Sequence, residues 1–224
     1  MVVQRHTGFI RPGWGDQLHQ QWQPDIRHYQ RIHRDFIWAT RLAGSASFGH
    51  HKLLYYLGGV DNSLLYMFNP EENFNRNIPV DYSQNYIFQT TATDMRGFHQ
   101  NIRNGSNFFL LNSELRFPVF RYLANHPLGS KFLNSFQLVG FGDLGTAWNG
   151  FSPYSGQNAY DKRIIKNGPL TVTLETNREP FVAGFGWGAR ALVFGYFLRF
   201  DMAWGVENFI VRPHMFHLSF ATDF

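Results

Sequence analysis

The chain has 224 residues, enough for one domain with a sizeable core, and length alone requires no second domain. Charged residues make up only 16% against 18% aromatic, so the surface is covered by something other than charge. Net charge is +4 with the bases scattered, and the absence of cysteine excludes disulfides, thiolate metal sites and a thiol nucleophile.

The N-terminus, "MVVQRHTGFIRPGWG", has neither the apolar run nor the small-residue cleavage site of a secretory signal. A strand is predicted over 19–32, leading into "RHYQRIHR" at 27–34. That cluster interleaves rings and bases as a nucleic-acid surface does, but a strand alternating its residues into a turn accounts for it with no nucleic-acid partner.

In "DFIWATRLAGSASFG", Phe36, Trp38, Leu42 and Phe48 share one parity while Arg41 has the other. Residues 60–95 read as a long polar loop. In "NFFLLNSELRFP", Phe109, Leu111, Leu115 and Phe117 oppose Asn112, Glu114 and Arg116. Strands are predicted over 134–148 and 181–195, separated by a second long loop at 149–180. In "LRFDMAWGV", Leu198, Phe200, Met202, Trp204 and Val206 oppose Arg199, Asp201, Ala203 and Gly205. The last strand sets Phe216, Leu218, Phe220, Thr222 and Phe224 against Met215, His217, Ser219, Ala221 and Asp223.

This two-residue period over about seven segments predicts an all-β, antiparallel fold. Alternation does not say which face is wet, so a membrane barrel and a soluble β-sandwich both fit it. Glycines inside the strands (Gly140, Gly142, Gly184, Gly186, Gly188), and tight turns on one rim opposite long loops on the other, suit a barrel wall, but the pattern alone leaves a membrane barrel and a soluble all-β domain equally open.

Motifs for chemistry are weak. "GFGDLG" at 140–145 has the glycine spacing of a dinucleotide loop, but breakers follow it where a helix is needed. His214 and His217 fall on opposite faces of a strand, and His50 and His51 are adjacent in a turn, so no metal site is expected. Glu114 and Asp143 lie on different strands and make a general acid/base pair only if the fold brings them together, and structural ion pairing accounts for them better. Neither catalytic residues nor a cofactor are expected.

Four features in order carry a resemblance: "LLYYLGG" (53–59), "MRGF" (95–98), "NSELRFPV" (112–119) and "GFGDLGTAW" (140–148), followed by "GFGWGAR", "LRFDMAW" and the terminal Phe224. The chain resembles the bacterial surface antigen barrels of BamA type over about residues 19–224. "IPVDYSQNYIFQTTATDMRGFHQNIRNG" resembles more particularly a Bacteroidota branch in which a propeller-like periplasmic region precedes the barrel. It departs from the family in Met95, where the motif has Val, and in the long insertion between "LGG" and "MRGF".

The resemblance implies the C-terminal part of a roughly sixteen-stranded transmembrane β-barrel, spanning residues 1–224. It places the chain in the bacterial outer membrane, in assembly, insertion or translocation of proteins and without enzymatic activity. The implied partners are outer-membrane lipid, the barrel-insertion machinery, client strands and the remainder of a longer chain.

In such barrels the R-G-F loop folds into the lumen, which implies that Arg96 reaches Glu114 and Asp143, that Gly97 makes a tight turn and that Phe98 fills space beside the wall. Phe216, Leu218, Phe220, Thr222 and Phe224 resemble the C-terminal insertion signal. Two other roles are left open: a barrel that anchors or exports a fused periplasmic, propeller or enzymatic domain, and a soluble binding module.

Overall fold

The computed structural model describes residues 20–64, 73–82, 84–124, 129–155, 158, 162–167, 170–175 and 178–221. Its main sheet is an antiparallel meander. The first ribbon is β1 (Gln20–Trp22) and β2 (Asp25–His33), which hold one register against β3 (Phe36–Phe48) across Pro24 as far as Arg31, where it shifts before His33. Proline has no N–H to give the ladder, so the ribbon breaks there without slipping. Instead, Gly44 N–H donates to the Pro24 carbonyl at 3.0 Å.

Chain order is then interrupted by β4 (Lys52–Leu57), β5 (Tyr86–Ala92) and β6 (Arg103–Gly105), which form a separate three-stranded sheet. The meander resumes with β7 (Asn107–Phe117), which pairs with β3. Two short helices follow, α1 (Val119–Ala124) and α2 (Lys131–Ser135), before β8 (Gln137–Trp148). A hairpin of β9 (Lys162–Asn167) and β10 (Leu170–Glu175) precedes β11 (Val182–Val193) and β12 (Tyr196–Glu207). The short β13 (Ile210–Val211) and β14 (Met215–Ala221) both pair with β12.

The sheet therefore runs β1/β2–β3–β7–β8–β11–β12–β14, seven ribbons with every neighbour antiparallel. The fold is all-β. Among the described residues the sheet does not close on itself, and no helix is long and apolar enough to cross a membrane.

Three expectations need correction. Residues 60–95 are not one loop, because β5 pairs in parallel with β4, Leu53 opposite Phe88. Nor is 149–180, where β9 and β10 pair from Leu170↔Asn167 to Glu175↔Lys162. The segment 134–136 is not strand either: α2 runs to Ser135, and β8 starts at Gln137. One rim carries the tight turns at Arg34–Asp35 and Phe194–Gly195, but α1 and α2 make its third connection long. At Phe194 (φ 52°) and Gly195 (φ 90°) both central residues are left-handed, the hairpin geometry that matches strand twist.

The two faces of the sheet differ in what they expose and what they bury. On the outer face Trp38, Leu42, Leu111, Leu115, Leu138, Leu144, Phe185, Trp187, Phe200, Phe216 and Phe220 are each 37 to 50% exposed. On the inner face Asn112, Glu114, Arg116, Asp143, Arg190, Arg199, Asp201 and His217 are all buried. The three-stranded sheet packs on that inner face. Tyr55, Leu57, Ala92, Met95, Phe98 and Ile102 form an apolar cluster there with Phe108, Leu110, Ala147 and Val182 of the main sheet.

Candidate functional site

The loop from Thr93 to Ile102 joins β5 to β6 and crosses the inner face of the main sheet. Its ends are pinned to the chain around Gly59: Met95 N–H donates to the Gly59 carbonyl and Ile102 N–H to that of Leu57, each at 2.9 Å. Between these pins the chain turns at Gly97, whose φ of +86° strongly disfavours a side chain. Space demands glycine as well. A β-carbon on Gly97 would lie 2.6 Å from the Gly205 nitrogen and 2.7 Å from the Trp204 carbonyl carbon.

Arg96 is fully buried. Its Nε and Nη2 donate to the two oxygens of Asp143, each at 2.7 Å, and Nη1 donates to Glu114 Oε1 at 2.7 Å. The Asp143 pair is a planar two-point fork, which only arginine can make. The Phe141 ring lies beneath, 3.6 Å from the guanidinium carbon, and takes the face that no carboxylate covers. Phe98 is 2% exposed, packed in the apolar cluster with its ring over Gly205.

Strand parity puts Glu114 and Asp143 inward, and register decides what surrounds them. Glu114 also accepts from Arg190 Nη2 and from Arg116 Nε, the latter at 3.0 Å. Asn112 Nδ2 donates to Asp143 Oδ1 at 2.8 Å and to the Asp94 carbonyl at 2.7 Å. Arg199 reaches Asp94 at 3.4 Å and Asp201 at 3.8 Å. Four arginines (Arg96, Arg116, Arg190, Arg199) thus interleave with four carboxylates (Asp94, Glu114, Asp143, Asp201), so the buried cluster is close to neutral.

Burial favours the protonated form of Asp94. The charges of Arg199 and Arg96, with a hydrogen bond from Asp61 N–H, outweigh it and hold the carboxyl below the ordinary carboxylate range. Asp61 goes the other way, raised by burial and by Asp94 beside it, against a hydrogen bond with Thr93 that lowers it.

The loop is also tied to the last ribbon. Gly97 N–H donates to His217 Nε2 at 3.2 Å, so that ring nitrogen carries no proton. Seven residues beyond Arg96, Arg103 forms a second buried anchor. It donates to Glu207 Oε1 at 2.6 Å, and to the Ile102 and Glu179 carbonyls, each at 2.7 Å. The segment is therefore held to β7 and β8 at one end and to the end of β12 at the other.

Arg96, Gly97, Phe98, Glu114 and Asp143 are thus brought together. Phe216, Leu218 and Phe220 share the outer face of β14, while Thr222 and Phe224 lie outside the described residues. Sequence reasoning missed Asp94, Asn112, Arg116, Arg190, Arg199, Asp201 and His217 as members of the cluster, and Arg103 as the second anchor. For Asn112, Arg116, Arg199, Asp201 and His217 the signal was present, because all five have inward parity on their strands.

Chemically, the arrangement locks a backbone in place. Its central cation is saturated by carboxylates, and among the described residues no group of three or more His, Asp or Glu side chains is placed to hold a metal ion. A scan of protein-family models finds no match to this chain, and a search of curated proteins finds none either.

Proposed function

We propose that this chain is the C-terminal part of a BamA-type transmembrane β-barrel, acting in assembly, insertion or translocation of proteins at the bacterial outer membrane. The observation that carries the reading is the inversion of the sheet. A soluble sandwich buries its apolar face against a second sheet. Here the apolar face is the exposed one, while arginines and carboxylates are enclosed on the other, as the wall of a barrel in hydrocarbon requires.

Among the described residues the seven ribbons leave two strand edges, and an open edge in lipid leaves backbone N–H and C=O groups without partners. The reading therefore calls for further strands from the rest of a longer chain to close the wall. In that setting the Arg96 loop and the three-stranded sheet occupy the lumen. Arg96 fastens them to the wall by charge-assisted hydrogen bonds that burial strengthens.

A second reading, a barrel that anchors a fused periplasmic or enzymatic domain, draws support from the same packing. An interior filled by Tyr55, Leu57, Met95, Phe98 and Ile102 suits an anchor better than an open export pore. The test is depletion of the full-length protein in its host, with outer-membrane proteins quantified. A fall in other barrel proteins supports the assembly role. Their unchanged levels, with loss of one fused or secreted activity, support the anchor and overturn the first reading.

A further inference from the structure

The rim that carries the Arg34–Asp35 and Phe194–Gly195 turns also carries α1 and α2. Helices of six and five residues are too short to persist in water without packing. Their packing is aromatic and lies on the outer side. Phe117 shares the outward parity of Leu115, and its ring meets Phe36 of β3 at 6.0 Å and Tyr122 of α1 at 4.8 Å. Phe136 shares the parity of Leu138 and meets Phe120 of α1 at 5.4 Å and Phe132 of α2 at 6.1 Å.

The apolar side of the two helices is therefore continuous with the apolar outer face of the strands. It is still unfinished there, because Phe120 is 38%, Leu123 73% and Phe132 45% exposed. Phe194 and Tyr196, both exposed, prolong the same band along the neighbouring turn.

Charge completes the pattern. Arg34 lies over the Tyr122 ring at 5.4 Å, Arg121 pairs with Asp35 at 3.1 Å while its side chain is more than half exposed, and Lys131 opens α2. Asp35 is the single acid beside these three cations in the turn and the two helices. Rings and aliphatic side chains bordered by cations, at the edge of an apolar belt, are the composition of a segment lying in the headgroup layer.

We propose that α1 and α2 seat in the headgroup layer of the bilayer, with phosphates of anionic lipids bound by Arg34, Arg121 and Lys131. This rests on the barrel reading. It adds that the two helices between β7 and β8 form a membrane-surface element that sets the depth of the wall and selects anionic lipid.

These 224 residues contain no cysteine, so single-cysteine variants of the full-length protein, with any cysteine elsewhere in it replaced by serine, can carry a fluorophore in vesicles of phosphatidylcholine and phosphatidylglycerol. Leu123→Cys reports the helices, Leu115→Cys the strand wall and Phe151→Cys the water-exposed opposite rim. The label at 123 is expected to be quenched by headgroup-depth nitroxide lipid, and about five-fold less by aqueous acrylamide than the label at 151. Omitting phosphatidylglycerol, or adding Lys131→Glu, should raise acrylamide quenching at 123 roughly two-fold.

Strong acrylamide quenching at 123 with a hydrocarbon-depth signal at 115 overturns the proposal and leaves the barrel reading intact. Strong acrylamide quenching at both positions overturns both. A shielded label at 123 that ignores phosphatidylglycerol and Lys131→Glu overturns the anionic-lipid assignment.

Discussion

Gly184 and Gly205 face each other directly across β11 and β12, and together they make the seat on which the Arg96–Gly97 backbone rests. A β-carbon on Gly184 would run into the Arg96 carbonyl oxygen, and one on Gly205 would lie 2.5 Å from that of Gly97 and 2.6 Å from the Phe98 ring. The bare strand backbone lets the loop come close enough for Arg96 to reach β7 and β8.

The seat predicts a sharp contrast among strand glycines. Gly184→Ala and Gly205→Ala should each destabilise the protein by about 1 to 3 kcal/mol, since neither strand nor loop backbone has room to move. Gly140→Ala and Gly142→Ala, where a β-carbon meets nothing within 4 Å, should be neutral or slightly stabilising. Thermal unfolding in detergent, followed by circular dichroism, ranks the four.

Removing the guanidinium leaves Glu114 and Asp143 buried without it. Arg96→Ala should cost about 3 to 5 kcal/mol. Arg96→Lys keeps the charge but gives up the two-point fork on Asp143, and should recover only part of the loss. An unchanged unfolding midpoint in Arg96→Ala would contradict the locking role.

The strand wall could be read in the sequence because the large apolar residues fall on the outward parity, as along Leu198, Phe200, Met202 and Trp204. Inward Arg199 and Asp201 announced a polar interior by the same count. What parity cannot give is register. That Asp201 sits opposite Gly188 and His217, and Glu114 opposite Phe141 and Ala39, depends on how neighbouring strands slide, and this decides which inward charges meet. The pairing of Arg96 with Glu114 and Asp143 came from the family resemblance together with parity. β5 was hidden because Gln89, Thr90 and Thr91 read as loop until a parallel partner exists, and β4 supplies one. Arg103 left only a faint trace, a second arginine between asparagines in "NIRNG".

Acid should loosen the cluster through Asp94. Its folded-state pKa is depressed, so its contribution is fully present above the ordinary carboxylate range and is lost as pH falls through the lower folded value. Asp94→Asn should be less stable than the parent by roughly 2 kcal/mol near neutral pH, and the gap should narrow on acidification below about pH 4. Unfolding midpoints of both proteins across this range check the sign. A gap that widens with acid contradicts it.

The outer face of β14 should govern membrane insertion. Phe220→Asp places a charge on the side that the barrel reading gives to lipid, and deletion of Phe224 removes the last residue of the alternating series. Both variants are expected to lower the amount recovered in the outer-membrane fraction several-fold, whereas Asn208→Asp, in an exposed turn, should not.

The inversion of the sheet is tested most directly by nitroxide scanning of the full-length protein in bilayers, one residue at a time along β8 and β11. Accessibility to oxygen should peak at Leu138, Leu144, Phe185 and Trp187 and fall at Asp143 and Gly184, with a water-soluble nickel reagent excluded from all the outward positions. Free access of the nickel reagent to Leu144, Phe185 and Trp187 would mean that water, not hydrocarbon, touches that face, and would contradict the account.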